Sequence, residues 1–103
     1  MAESIYEMKT NLFKALAHPI RIRILESLKE RSQCACTLAP ELGIEQSNFS
    51  RHISALKTAG LIRTWKEGVS VYFSISDQRI FDLMDAANEI LKRRIQSHHK
   101  IFV

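Results

Sequence analysis

At 103 residues the chain is long enough for one modest core, and a domain of this size buries so small a share of its surface that pairing into a dimer is an expected route to stability. Hydrophobic residues at 46% and charged residues at 25%, with only three glycines and two prolines, exclude a low-complexity or linker-rich chain. The net charge of +4 favours an acidic partner such as nucleic acid without deciding for one.

The opening MAESIYEMKTNLF carries acidic residues and no long apolar core, and no window approaches the run of about 18 apolar residues that a membrane span needs. One domain over residues 1–103, in the cytoplasm and without a membrane partner, is the expectation. Ile5, Met8, Leu12, Phe13 and Leu16 recur at helical spacing and predict a first helix that stops near Ala17, ahead of Pro19. Pro19 suits the first turn of a second helix, with Ile20, Ile24, Leu25 and Leu28 on one side, running to about Arg31. Two cysteines, Cys34 and Cys36, follow; they are too few for a disulfide framework and are expected as free thiols. Leu38 and Leu42 mark a short third helix stopped by Gly43.

A fourth helix is predicted from Gln46 to Thr58, with Phe49, Ile53 and Leu56 on one stripe and Gly60 as its stop. Leu61 to Trp65 and Val69 to Ile75 then read as two strands around Lys66, Glu67 and Gly68, the only β structure expected. Ser76 or Asp77 can cap a last helix, whose residues Ile80, Phe81, Leu83, Met84, Ala87, Ile90 and Leu91 cover more than one narrow stripe and call for a partner.

Two short helices around a glycine turn, followed by a hairpin with a charged tip, form the layout of a winged helix-turn-helix, a mainly α fold with a β-hairpin wing. The second of the two helices enters the DNA major groove in that layout. Gln46, Ser47, Asn48, Ser50, Arg51 and Lys57 face away from the apolar stripe, and these residue types bond base edges and phosphates. Arg63, Lys66 and Ser70 on the hairpin are placed to reach the neighbouring backbone. His52, three residues after Phe49, suits either a DNA contact or a histidine packed at the edge of the core.

The stretches LFKALAHPIRIRILESL, QSNFSRHISALKTAGLI and GVSVYFSI resemble the signature segments of the ArsR/SmtB family of small dimeric winged-helix repressors, in family order and over nearly the whole chain. The resemblance implies a homodimer built on the first and last helices, repressing an operon until an inducer loosens its hold on operator DNA. In arsenic- and cadmium-responsive members a C-x-C pair precedes the serine of S-R-H at the offset that Cys36 has from Ser50. Cys34 and Cys36 therefore carry over as thiolate ligands for a thiophilic metal or metalloid inducer, As(III) first and Cd, Pb or Zn next. The third cysteine of the arsenic pattern falls on Ala39, and the zinc positions of the last helix fall on Arg79, Ile90 and Arg93, which cannot ligate.

Residues i and i+2 diverge on an ideal helix but share a side in extended chain, and Pro40, comfortable in a first turn, starts the third helix at about Cys36 or Thr37. Both thiols are then free to meet on one ion, and the helix terminus favours their thiolates. Packing as small hydrophobes remains an alternative for the cysteines, and a repressor that responds to thiol oxidation or to another ligand, with no metal sensing, is the alternative for the chain. An enzyme is disfavoured by the lack of C-x-x-C, a Gly-rich phosphate loop, G-x-S-x-G and H-E-x-x-H. A pure interaction module is the other rival, on the strength of the apolar last helix. His98 and His99 fit a solvated tail better than ligands.

Overall fold

Pro19 and three left-handed glycines punctuate the chain where the helices and the hairpin end. The computed structural model describes residues 3–97, in the order α1 (Ile5–Leu16), α2 (Pro19–Ser27), β1 (Gln33–Cys34), α3 (Ala35–Leu42), α4 (Gln46–Thr58), β2 (Ile62–Glu67), β3 (Ser70–Ile75) and α5 (Ile80–Ser97). The Ser4 side chain caps α1 by accepting from the Glu7 N–H. His18, held extended ahead of Pro19, caps α2 through its ring.

α2 ends at Ser27, short of the expected Arg31. Leu28 is its C-cap and is 2% exposed, so the apolar period outlasts the helix because burial of Leu28 requires no further turn. α3 begins at Ala35, one residue earlier than expected, and Pro40 stands in its second turn rather than its first. The helix forgoes the hydrogen bond that residue 40 would donate, and burial of Leu38, Ala39 and Leu42 holds it in place. Gly43, at φ +67°, closes α3 in a left-handed conformation that costs a side-chain-bearing residue roughly 1–2 kcal/mol.

The hairpin is not the only β structure. Gln33 and Cys34 pair antiparallel with Phe73 and Tyr72 on the outer edge of β3, giving the sheet order β1-β3-β2. Two residues are too few to show a period, which is why composition does not announce this strand. β2 continues through Glu67, leaving Gly68 (φ +63°) and Val69 as the turn, so Lys66 and Glu67 belong to the strand. Register sorts the ribbon into two faces. Ile62, Thr64 and Lys66 share one with Phe73 and Val71. Arg63 and Trp65 share the other with Ser74 and Tyr72, where the Trp65 and Tyr72 rings stack at 5.9 Å.

The core gathers Ile24, Leu25 and Leu28 of α2, Leu38 and Leu42 of α3, Phe49, Ile53 and Leu56 of α4, and Phe73 of the sheet. At the start of α5 the Asp77 carboxylate accepts from the Arg79 N–H and pairs with its guanidinium at 2.7 Å, which pulls its pKa down to about 2. Ile80 and Phe81 anchor α5, beyond which Ile90, Leu91 and Ile95 are exposed, as are Ile5, Tyr6, Met8 and Phe13 on α1. Among the described residues no helix is long and apolar enough to cross a membrane.

Candidate nucleic-acid interface and cysteine pair

α4 follows α3 after a left-handed glycine, and its inner stripe is fixed by Phe49, Ile53 and Leu56, all buried. That pins its outer face. Gln46, Ser47, Asn48, Ser50, Arg51 and Lys57 are all exposed there, as the sequence predicts. The Arg51 guanidinium donates to Asn48 Oδ1 at 2.7 Å, and Ser47 Oγ donates to Glu45 Oε1. The ion pairs among the described residues are Arg79 with Asp77 and Lys92 with Glu89, so Arg51, Lys57 and Lys66 keep their charges outside any ion pair. Lys66 lies on the ribbon face that carries Thr64 and Val71, which line a groove with Gln46, Ser50 and Lys57. Arg63 lies on the opposite face, beside Trp65, and is not brought to α4.

His52 does not face outward. It is 6% exposed, its Nδ1 accepts from Arg21 Nε at 3.1 Å, and its ring lies 4.3 Å from that of His18. Burial first, then His18, Arg21 and Arg51, hold its pKa below the ordinary value of 6.5. Of the two expectations for this residue, the structure has the histidine at the edge of the core. The contact with Arg21 spans 31 positions in sequence, and no local pattern signals it.

The expected free thiols are instead a pair: Cys34 and Cys36 are joined as a disulfide. Their meeting comes from a helix cap rather than from alternation in extended chain. Cys34 is the N-cap of α3, in extended conformation, and an N-cap side chain folds back over the first turn. Its Sγ accepts from the Cys36 N–H at 3.1 Å, and the two Cα atoms stand 5.1 Å apart, within the range a disulfide spans. Cys34 is buried and Cys36 exposed. Ala39, where the arsenic pattern has its third cysteine, is 4% exposed in the core. Among the described residues no three His, Cys, Asp or Glu side chains gather into a metal-holding group. His98 and His99 lie outside the described residues.

Helices α3 and α4 around Gly43, with the β2–β3 wing behind them, define a winged helix-turn-helix of the DNA-binding kind. Residues 18–64 match the family model described as bacterial regulatory protein, arsR family. The chain is 38% identical over 93 residues to the uncharacterized HTH-type transcriptional regulator Rv0081 of Mycobacterium tuberculosis, covering 89% of this chain and 82% of that one. The crystal structure of Rv0081 superposes with a TM-score of 0.82 at 36% identity, covering 94% and 98% of the two chains. NolR from Sinorhizobium fredii gives a TM-score of 0.76 at 28% identity, over 87% and 95%. A homodimeric winged helix-turn-helix DNA-binding domain from Mycobacterium bovis shares the fold, with a TM-score of 0.76 at 23% identity over 89% and 91%. The chain belongs to the arsR family, the ArsR/SmtB group of winged-helix transcriptional regulators.

Proposed function

We propose that this regulator is a homodimeric repressor that binds operator DNA through α4 and releases it when a thiophilic metal or metalloid, As(III) first, is held by Cys34 and Cys36. The observation that carries the reading is the outer face of α4, where six polar or cationic side chains (Gln46, Ser47, Asn48, Ser50, Arg51 and Lys57) stand exposed over a buried Phe49–Ile53–Leu56 stripe. Gln46, Ser47, Asn48 and Ser50 suit base edges and the groove, while Arg51, Lys57 and Lys66 suit phosphates. Arg63 on the far ribbon face and buried His52 are left out of the contact set. A hydroxyl-radical footprint on the DNA upstream of the chain's own gene tests this reading. It should protect an imperfect inverted repeat with half-sites about one helical turn or a multiple apart, with affinity falling steeply in salt. A single protected half-site, or binding insensitive to salt, contradicts it.

The dimer reading is supported by the large apolar residues left exposed on both terminal helices, Ile5, Met8 and Phe13 on α1 and Ile90, Leu91 and Ile95 on α5, because apolar faces of this kind mark interaction sites. The M. bovis domain of the same fold is itself a homodimer. Replacing Ile90 and Leu91 by Glu should yield a folded monomer in sedimentation velocity and weaken operator binding at least tenfold, because two linked half-site contacts bind far more tightly than one; a persistent dimer would move the interface elsewhere.

For the inducer, the chemistry of the donor set is the test. Two sulfurs brought within bonding reach can both bind one soft ion once reduced, and its remaining positions fall to solvent or to a small thiol. The second reading, control by thiol oxidation, is favoured by the joining of the same two sulfurs as a disulfide. In it a two-electron oxidant such as a peroxide takes two electrons and two protons from the dithiol.

A further inference from the structure

The recognition helix is held to α1 and α2 by a joint of imidazole, guanidinium and one backbone carbonyl, with no carboxylate in it. His52 Nδ1 accepts from Arg21 Nε at 3.1 Å, and Arg21 Nη1 donates to the Lys14 carbonyl at 3.3 Å, near the end of α1. The His18 ring beside His52 is itself fixed, because its Nδ1 accepts from the Ile20 N–H at 3.1 Å. An imidazole nitrogen accepts only when it carries no proton. The joint that ties α1, α2 and α4 together therefore exists only while His52 is unprotonated at Nδ1.

The surroundings offer a proton on His52 no compensation. His18 and Arg21 face it from the α2 side and Arg51 from α4 itself. Among the described residues no carboxylate pairs with any of these. Glu3, which lines a groove with Arg21, is engaged by Asn11 Nδ2. β2, which also packs on α4, carries Arg63, Lys66 and Glu67, all exposed. A protonated His52 would lose its hydrogen bond from Arg21 and set a new cation against Arg21 and Arg51 while nearly buried.

We infer that His18, Arg21 and His52 are positioning residues for the recognition helix, and that acidification loosens the helix and lowers operator affinity. The inference rests on the reading of α4 as the operator-binding helix. Its sign is diagnostic. A histidine at a DNA surface strengthens binding when it gains a proton, because the new charge faces phosphates. Here the proton goes to the unfolded or loosened state first. Stability from the joint is whole above the ordinary histidine value and is lost as the pH falls through it toward the lowered value of the folded chain.

The test is fluorescence anisotropy with the duplex immediately upstream of the coding sequence, at constant ionic strength, from about pH 8 to about pH 5.5. The wild-type chain should bind at the upper end and weaken on acidification, by up to tenfold per pH unit for one linked proton. His52→Asn places a non-titrating oxygen where Nδ1 stood, so it should bind at the upper end and keep its affinity. Wild-type affinity that holds level or rises in acid overturns the inference, as does an acid loss that His52→Asn leaves unchanged. No binding at the upper end overturns the DNA reading itself, and this inference with it. If His52→Asn does not fold, NMR of the wild-type chain decides: the Arg21 Nε–H signal and the α4 amides should titrate with the His52 ring, and an Arg21 Nε–H indifferent to that titration overturns the joint.

Discussion

Phe49→Ala should cost about 3–5 kcal/mol of folding stability, the range for truncating a buried aromatic side chain. Phe49 is 2% exposed and meets the edge of Phe73 at 5.9 Å, so it joins the recognition helix to the central strand of the sheet. Its loss removes apolar contact on both sides and leaves a void between α4 and the wing. A domain of this size has on the order of 5–15 kcal/mol in total, so the variant should lie near the edge of folding. The urea midpoint measures it directly. Phe49→Leu, which keeps most of the volume, should lose much less, and a cost below about 1 kcal/mol for the alanine variant would mean that α4 is not seated on the core through this residue.

Cys34→Ser with Cys36→Ser should abolish release from the operator while leaving operator binding itself intact. Cys34 ends β1 and caps α3, so whatever binds or bridges its sulfur acts at the junction of the wing sheet and the helix-turn-helix. To drive release, a ligand must bind the DNA-incompetent state more tightly, by about 1.4 kcal/mol for each tenfold loss of operator affinity. The reduced wild-type chain should release DNA on addition of As(III) under the metal reading, and on addition of peroxide under the oxidation reading; the double variant should respond to neither. The single tryptophan, Trp65, stacks on Tyr72, the β3 residue paired with Cys34, so its fluorescence should report the event. Because Cys34 is buried, Cys36→Ser alone serves as the check on folding: Cys36 is exposed, and its loss also removes the pair. Normal induction of either variant would place the sensor elsewhere.

The elements that read clearly in the sequence are those fixed by local rules. α1 and α4 carry apolar residues at helical spacing and are bounded by Pro19 and Gly60, and the outer face of α4 follows from its inner one. The features that did not read clearly depend on partners distant in the chain. β1 exists because the edge of β3 offers it hydrogen bonds. α2 stops at Ser27 although Leu28 continues its apolar period. Periodicity shows burial and not the torsion that achieves it. The cysteines meet through a cap torsion at Cys34, whereas spacing alone distinguished only helix from extended chain. Pro40 misled for a similar reason, since tertiary burial outweighs one missing hydrogen bond in a two-turn helix. The joint of His18, Arg21 and His52 links three helices, and the sequence offered only an undecided histidine.

The claim that the exposed face of α4 binds operator DNA is tested most directly by Arg51→Ala, measured by anisotropy on the upstream duplex at moderate salt beside circular dichroism of the same sample. Arg51 is exposed, and among the described residues its guanidinium bonds only Asn48, within its own helix, so the fold should be unaffected. Operator affinity should drop by roughly ten- to a hundred-fold, the worth of one arginine at a base edge or phosphate. An intact fold with unchanged affinity would remove the recognition helix from the interface and contradict the account.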